Sequence, residues 1–242
     1  MEGETMRGIV TVAFGHPARR CARALIRSIR KHSPCVPVCV IADRELPEAD
    51  LTIERTPTWG GRYYKVNIDR FVPQEWRYVL YLDADTLVID SLEPIFQFLE
   101  DGWDMVMTLG PDWGQSVGDN QRPHYDEENV FTAEALGGRF WHQPMGGVWA
   151  WSRNERTAAF HKLWGEEWER FGRRDQPAMV RALWRSPVTA LWLGTEWNCF
   201  IHRGDTQRGE VVLHFPTAAR TRSESKPPHP AAALWEEYSK RV

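Results

Sequence analysis

Disulfide and zinc frameworks are missing from this sequence. The 242-residue chain has four cysteines, Cys21, Cys35, Cys39 and Cys199, and none of them forms a Cys-x-x-Cys pair. We therefore expect reduced thiols and no cysteine-ligated zinc. No apolar run reaches the length of about 18 residues that a membrane-spanning helix needs. The first residues, Met-Glu-Gly-Glu-Thr-Met-Arg, are polar and acidic, unlike a signal peptide, so we expect a cytoplasmic protein.

An excess of positive charge is also missing. The chain has 30 lysines and arginines against 33 aspartates and glutamates, which gives a formal net charge of -3. This balance gives no support for a nucleic-acid partner, although a local basic groove would be compatible with one. Tryptophan, in contrast, is abundant, with 13 residues. Indole rings stack on sugars but also fill cores, and the helical spacing of Phe160, Trp164 and Trp168 favours the core.

The most informative stretch runs from Arg77 to Ile89 and reads RYVLYLDADTLVI. Two carboxylates, Asp83 and Asp85, interrupt an apolar strand, where acids are costly unless something neutralises them. Because residues i and i+2 of an extended segment point to the same side, both carboxylates can converge on one cation. Oxygen ligands of this kind suit a hard divalent ion held together with substrate phosphates. An acidic loop at a strand end, or a helix cap, is the alternative interpretation.

Strands and helices alternate along the N-terminal half. A strand over 7–14, an amphipathic helix that begins at Pro17 and a strand over 36–42 predict a parallel pair with a right-handed crossover. We therefore expect an α/β fold, a single domain with a mostly parallel central sheet flanked by helices. Open sheets of this kind bind ligands at the carboxyl ends of their strands. Thr11, Val12 and Ala13 lie at the first of these ends.

Further elements are predicted along the rest of the chain. The segment 110–143 is rich in Gly, Pro, Asp, Asn and Gln, with aromatic residues interspersed. Loops this long are functional or disordered, and because the aromatic residues argue against disorder we interpret the segment as a cap over the site. Asp175 stands two residues before Pro177 and is predicted to cap a helix. The remaining predictions are helices over 62–71, 94–99, 154–171 and 231–238, and strands over 105–108, 145–152, 189–193 and 210–214.

The stretch from Arg77 to Val88 closely resembles the Asp-x-Asp strand of GT-A fold glycosyltransferases. It is most similar to glycosyltransferase family 8, the group of glycogenin and the bacterial lipopolysaccharide galactosyltransferases, which implies a GT-A fold. Other parts of the family pattern recur in the same order over most of the chain. They are the first strand Ile9–Phe14, a basic residue at Lys65, Gly146-Gly147-Val148, Asp175-Gln176, Trp197-Asn198 and the strand that ends at His214.

The resemblance implies a divalent metal, Mn²⁺ or Mg²⁺. Asp85 would bind the ion directly, Asp83 would bind the ion and the ribose or sugar, and His214 would complete the ligands. Carboxylates and a neutral imidazole together suit such an ion. A buried strand histidine satisfied by a hydrogen bond is the alternative reading of His214.

The resemblance also implies a site for a nucleotide-sugar donor. The resemblance assigns the catalytic roles to Asp175, which would hydrogen-bond the hydroxyls of the donor sugar, and to Gln176, which would lie beneath the anomeric carbon. Cationic side chains would stabilise the leaving phosphates. The residues assigned to donor binding are Thr11, Val12, Ala13, Arg62, Lys65, Asp83, Ala84, Gly146, Gly147 and Arg220.

Three positions depart from the family pattern. The family has glycine three residues and lysine six residues after the histidine, where this chain has Thr217 and Arg220. Arg220 could clamp a phosphate with two hydrogen bonds, but the missing glycine weakens the expectation that this loop closes in the usual way. Met145 stands where the family often has asparagine, which puts one donor-sugar contact in doubt.

The sequence therefore predicts a hexosyltransferase that moves a sugar from a nucleoside-diphosphate sugar, expected to be UDP-linked. Kinship with the family suggests retention of the anomeric configuration. The acceptor is a glycan, a lipid-linked molecule or another small molecule, and no motif identifies it. We expect one domain over 1–242, comprising a nucleotide-binding half (8–108), a cap loop (109–144), an acceptor-side half (145–220) and a C-terminal tail (221–242).

Two alternatives would also use an α/β sheet, and the second would keep the same fold. A sugar-phosphate nucleotidyltransferase should have a glycine-rich, lysine-containing loop after the first strand, and Gly15-His-Pro-Ala-Arg-Arg20 is a poor substitute. A non-catalytic protein that binds nucleotide sugars would not need a complete metal site. The presence of Asp83, Asp85 and His214 argues against that second alternative.

Overall fold

The structure, a computed structural model, describes residues 6–57, 60–109, 126–137, 144–172, 174–201, 209–216, 218 and 230–241. The strands are β1 (Arg7–Ala13), β2 (Val38–Ala42), β3 (Leu51–Glu54), β4 (Tyr78–Leu82), β5 (Thr86–Val88), β6 (Met105–Leu109), β7 (Pro144–Ser152), β8 (Ala190–Leu193), β9 (Cys199–Phe200) and β10 (Val212–His214). The α-helices are α1 (His16–His32), α2 (Gly61–Val66), α3 (Glu93–Glu100), α4 (Asp126–Ala135), α5 (Glu155–Glu169), α6 (Asp175–Arg185) and α7 (Pro230–Tyr238). None of these helices is long and apolar enough to cross a membrane.

A seven-stranded sheet forms the centre of the fold, in the order β3-β2-β1-β4-β7-β6-β8. Neighbouring strands are parallel except at β7, which runs antiparallel to both β4 and β6. The predicted α/β fold with a mostly parallel central sheet is therefore confirmed. Helices cover both faces of this sheet, which is why β2 and β4 are buried along their whole length and apolar throughout.

A second sheet of three short strands has the order β5-β10-β9. Strand β10 is antiparallel to β5, and this register places His214 opposite Thr86. Strand β9 is parallel to β10 and pairs Phe200 with His214. The small sheet therefore brings residues from late in the chain to the turn that follows β4, where the candidate site lies.

The hydrophobic core has two parts, one on each face of the central sheet. Helices α1, α3 and α7 pack on one face, and α2, α5 and α6 pack on the other. Phe160 and Trp164 of α5 are fully buried and Trp168 is nearly so. The interpretation of these three rings as core residues is confirmed.

Several local predictions differ from the structure. The helix predicted over 62–71 is broken at Asn67 into α2 and a short 3-10 helix, Ile68–Arg70. Strand β3 was not predicted, because four residues at a sheet edge give little pattern. Helix α4 lies inside the segment 109–144 that was interpreted as a loop, and its sequence, DEENVFTAEA, has no clear apolar periodicity. The rest of that segment, apart from its ends and Leu136–Gly137, lies outside the described residues.

Asp104, just before β6, joins the start of α5 to the segment that precedes β8. Its buried carboxylate accepts hydrogen bonds from Arg156 (2.6 and 2.8 Å), from Asn154 (2.8 Å) and from the backbone and hydroxyl of Thr189 (both 2.8 Å). Burial acts to raise the pKa of Asp104, but the bonds from Arg156 and Thr189 outweigh it and lower that pKa from 3.8 to about 2. The folded state therefore prefers the ionised carboxylate.

We expect acid to remove the stabilisation that Asp104 supplies. Because its folded pKa is depressed, the contribution is complete above pH 3.8 and is lost as the pH falls from 3.8 towards 2. Urea unfolding at a series of pH values should show this slope in the wild type and a smaller slope in Asp104→Asn. Equal slopes in the two proteins would contradict the assignment.

Candidate active site

Asp83, Asp85 and His214 lie together at the end of β4. His214 Nε2 is 3.5 Å from Asp85 Oδ1 and 3.9 Å from Asp83 Oδ2. One ligand atom from each of the three residues lies within 4.8 Å of the others. Two carboxylate oxygens and one imidazole nitrogen at this spacing form a donor set that suits a divalent ion. The three side chains predicted as metal ligands are thus brought together.

The backbone between Asp83 and Asp85 is a turn, so the prediction of one extended strand through both residues is wrong. Strand β4 ends at Leu82, and Thr86 closes the turn by donating from its backbone N–H (3.1 Å) and its hydroxyl (2.8 Å) to the Asp83 carbonyl. The backbone N–H of Asp83 donates to the Gly147 carbonyl (2.8 Å). The carboxylates converge because hydrogen bonds to Thr86 and to Gly147 of β7 hold this turn in place. The alternation of side chains along a strand is not the cause.

The two oxygens of Asp83 have different surroundings. Tyr81 donates its hydroxyl proton to Oδ1 (2.6 Å), and Lys65 Nζ donates to the same atom (3.1 Å). Oδ2 is left facing His214. Burial and the nearby charge of Asp83 raise the pKa of Tyr81 well above its usual value, so its hydroxyl stays protonated and donates. Sequence reasoning missed Tyr81, although its position two residues before Asp83 on a strand was the available signal.

Lys65 links Asp83 to Asp175. Its ammonium group is buried and lies 3.0 Å from Asp175 Oδ2 as well as 3.1 Å from Asp83 Oδ1. Burial acts to lower the pKa of Lys65, but the two carboxylates outweigh it and raise that pKa. Likewise, burial acts to raise the pKa of Asp175, but Lys65 outweighs it and the net shift is downward. Lys65 and Asp175 therefore form a charged pair at neutral pH.

Asp175 does not cap α6, so that prediction is wrong. The N-cap position is Arg174, no side chain caps this helix, and Asp175 lies in the first turn. Its carboxylate is directed to cations instead, since Arg62 Nε approaches Oδ1 at 3.6 Å and Lys65 takes Oδ2. Arg62 and Lys65, both from α2, thus meet Asp175 at one place.

Gly146 and Gly147 allow β7 to lie directly against these side chains. A Cβ atom on Gly146 would lie 3.2 Å from Lys65 Nζ. A Cβ atom on Gly147 would lie 2.5 Å from Cε1 and 2.7 Å from Nδ1 of His214, and 3.3 Å from Asp83 Oδ2. No real Cβ atom tolerates contacts of 2.5 Å, so glycine at 147 is what lets His214 approach the carboxylates.

Gly147→Ala should therefore push the His214 imidazole out of position. We expect the affinity for Mn²⁺ to fall roughly 10²-fold, the size of effect that follows when a functional group is misplaced by about 1 Å. Gly165→Ala is the matched control, because its Cβ would lie in ordinary contact, 3.7 Å from Asn67 Oδ1. The Mn²⁺ affinity of both variants is measured by following free Mn²⁺ with electron paramagnetic resonance. Wild-type affinity in Gly147→Ala would show that His214 has more room than the structure gives it.

Helix α4 contacts the residue next to Asp175. Arg174 Nη2 donates to Asn129 Oδ1 of α4 (2.7 Å). Further along α6, the fully buried guanidinium of Arg181 donates to Thr132 Oγ1 of α4 (2.6 Å). A buried cation needs anionic partners, and Arg181 pairs with Glu128 of α4 (3.5 Å) as well as with Glu167 of α5 (2.8 Å). Helix α4 is therefore tied to α6. The segment 109–144 thereby has a described connection to the site, and its role as a cap stays a prediction.

Comparison with solved structures gives a consistent result. A structure of galactosyltransferase LgtC in complex with donor and acceptor sugar analogs matches this chain with a TM-score of 0.62 at 15% sequence identity. The chain has the GT-A fold. An active-site mutant of LgtC matches with a TM-score of 0.60 at 14% identity, and both matches cover 98% of this chain and 96% of LgtC. No family model matches the sequence, and no curated protein sequence matches it.

The GT-A fold confirms the fold that the sequence motifs implied. Within it, β1 and β4 are adjacent and parallel, so their carboxyl ends meet at one edge of the sheet. Val12 near the end of β1 lies against α2, 3.5 Å from where a Cβ on Gly61 would stand. Thr11 is fully buried, and its hydroxyl has no hydrogen-bond partner among the described residues.

The structure describes two of three further residues that were predicted to contact the donor. Ala84 lies between the two carboxylates and is nearly buried. Gln176 Nε2 donates to the Pro144 carbonyl (2.6 Å), which holds the amide against the start of β7. Arg220 lies outside the described residues.

Proposed function

We propose that this protein is a metal-dependent glycosyltransferase that moves a hexose from a UDP-linked sugar to a small or glycan acceptor with retention of configuration. The observation that carries the proposal is the convergence of Asp83, Asp85 and His214 beside the Lys65–Asp175 ion pair. The similarity in fold to LgtC, whose structure holds donor and acceptor sugar analogs, supports the same class of reaction.

The ligand set of this proposal is Asp83 Oδ2, Asp85 Oδ1 and His214 Nε2. A bound Mn²⁺ or Mg²⁺ supplies Lewis-acid stabilisation of the negative charge that develops on the departing diphosphate. Tyr81 and Lys65 hold Asp83 by its other oxygen, so Asp83 presents a single atom, Oδ2, to the ion. Lys65 also offsets part of the negative charge of the carboxylates, which eases the approach of an anionic donor.

The sugar half of the donor is assigned to Asp175 and Gln176. Asp175 is ionised and fixed by Lys65 and Arg62, so its remaining lone pairs accept hydrogen bonds from sugar hydroxyls. Gln176 donates from its amide nitrogen to Pro144, and its carbonyl oxygen remains to face the positive charge that develops at the anomeric carbon. Thr11, Val12 and Ala13, through their backbone, together with Ala84, Gly146, Gly147 and Arg220 complete the proposed donor site.

A donor-hydrolysis screen tests the proposal. Purified protein is incubated with a panel of nucleotide sugars and either Mn²⁺, Mg²⁺ or chelator, and release of the nucleoside diphosphate is measured. We expect metal-dependent release from at least one UDP-sugar, and proton NMR of the released or transferred sugar should show the retained anomer first. Absence of turnover with every donor and acceptor mixture would overturn the proposal.

The two alternatives give different results in the same experiment. A nucleotidyltransferase would release pyrophosphate from a nucleoside triphosphate and a sugar phosphate, and would leave nucleotide sugars intact. A non-catalytic binding protein would show thermal stabilisation by a nucleoside diphosphate with Mn²⁺ but no turnover.

A further inference from the structure

A chain of buried hydrogen bonds leads away from His214 on the side opposite the carboxylates. His214 Nδ1 is 2.8 Å from Asn198 Oδ1, and Asn198 Nδ2 donates to Thr108 Oγ1 (3.1 Å). The Thr108 hydroxyl in turn donates to the backbone carbonyl of Val148 (2.8 Å). Thr108 and Asn198 are fully buried and His214 is 5% exposed, so solvent does not substitute for these partners.

The donor and acceptor of each hydrogen bond in this series follow from the group at its end, the Val148 carbonyl. The Val148 carbonyl can only accept, so the hydroxyl of Thr108 uses its single proton there and accepts from Asn198. Asn198 must then turn its NH₂ group to Thr108 and its oxygen to His214. Because that oxygen also only accepts, Nδ1 of His214 has to carry a hydrogen.

We infer that Asn198 and Thr108 are positioning residues that hold His214 in the Nδ1–H tautomer and so reserve the Nε2 lone pair for a divalent cation. The inference deepens the proposed function and rests on it only for the identity of the ligand. The geometry fits, because Nε2 is the ring nitrogen that faces Asp83 and Asp85. A histidine that ligates a metal generally donates its other N–H to such an outer partner, which fixes ring orientation and tautomer.

The pairing of the strands explains why these residues meet. Asn198 immediately precedes β9, and β9 lies parallel to β10 with Phe200 beside His214. Thr108 belongs to β6, where the register with β7 shifts between Met107 and Thr108. At this irregularity the Thr108 hydroxyl donates a hydrogen bond to the Val148 carbonyl. The chain of bonds therefore ties His214 of the small sheet to the central sheet.

Thr108→Val tests the inference without touching a ligand. Valine keeps the shape of threonine but removes the hydroxyl, so Asn198 loses the acceptor that fixes its orientation and is free to rotate its NH₂ group towards His214. We expect the affinity for Mn²⁺ alone, measured by electron paramagnetic resonance, to fall about 10–100-fold. Thr108→Ser keeps the hydroxyl and should bind Mn²⁺ as the wild type does. Wild-type affinity in Thr108→Val would overturn the inference.

Nitrogen-15 NMR of the metal-free wild type gives an independent measurement. Long-range proton–nitrogen spectra at alkaline pH identify which ring nitrogen carries the hydrogen, and His214→Gln assigns the signal by its loss. We expect Nδ1–H in the wild type and in Thr108→Ser, and a change in Thr108→Val if that variant folds. An Nε2–H tautomer in the wild type would overturn the inference even if every variant failed to fold.

These outcomes are separable from those of the proposed function. If no nucleotide sugar is turned over but Thr108→Val weakens Mn²⁺ binding, the glycosyltransferase proposal fails and the positioning role holds. If donors are turned over but Thr108→Val binds Mn²⁺ normally, the glycosyltransferase proposal holds and the positioning role fails.

Discussion

Asp85→Asn should lower turnover with every nucleotide-sugar donor by roughly 10³-fold, since a Lewis acid contributes several kcal/mol to the transition state. The substitution keeps the shape of the side chain and removes one anionic ligand. Asp85 is a better test of the metal site than Asp83, because a change at Asp83 would also disturb its hydrogen bonds with Lys65 and Tyr81. Among the described residues the Asp85 carboxylate has no ion pair with a lysine or arginine, and it lies 3.5 Å from His214 Nε2. The measurement is steady-state release of nucleoside diphosphate at saturating Mn²⁺.

Asp90→Asn is the control for this experiment. Asp90 lies five residues further on, is exposed, and accepts a bond from the backbone of Ser91. It should keep full activity and full thermal stabilisation by Mn²⁺. If Asp85→Asn also kept full activity, the metal assignment at this turn would be wrong whatever the fold.

Lys65→Met should cost about 3–5 kcal/mol in the free energy of unfolding, the usual effect of removing one partner from a buried ion pair. Asp83 and Asp175 would then face each other without the cation that lies between them. Turnover should be lost together with stability, because both carboxylates would change position or protonation. Urea unfolding and donor hydrolysis, measured on the same preparation, give the two quantities.

Lys162→Met provides the comparison for Lys65. Lys162 is a surface lysine with 77% of its side chain exposed, and it meets only Glu166, at 4.0 Å, among the described ion pairs. Exposed pairs contribute little, so this variant should differ from the wild type by less than about 0.5 kcal/mol. Similar losses for Lys65 and Lys162 would mean that the buried ion pair has no special role.

Two of the candidate metal ligands could be predicted from the sequence because acids in an apolar run are costly and need a partner. Asp83 and Asp85 carry that signal locally. His214 was found only through the resemblance to a family, since nothing in a short strand distinguishes a ligand from a core histidine. Even for the two aspartates, the expected backbone was wrong: an extended strand was predicted where the chain makes a turn.

The parts that sequence reasoning missed depend on contacts between distant segments. Tyr81 reads as one more apolar strand residue until its hydroxyl is seen to donate to Asp83. Thr108 has no distinguishing pattern of its own, and its importance appears only when β6, β7 and β9 are assembled around it. Asp175 was assigned a local role as a helix cap, but its carboxylate instead forms ion pairs with Lys65 and Arg62 of a distant helix.

The pairing of β5 with β10 has a consequence for the order in which the chain folds. His214 reaches the turn at Asp83 and Asp85 only after a long stretch of chain has closed between them, and such long-range closure is slow. The cluster should therefore be among the last contacts to form. An ion that binds only the finished cluster stabilises the native state by mass action. The proposed ion would then bind only completely folded molecules, because an incompletely folded chain has no assembled cluster.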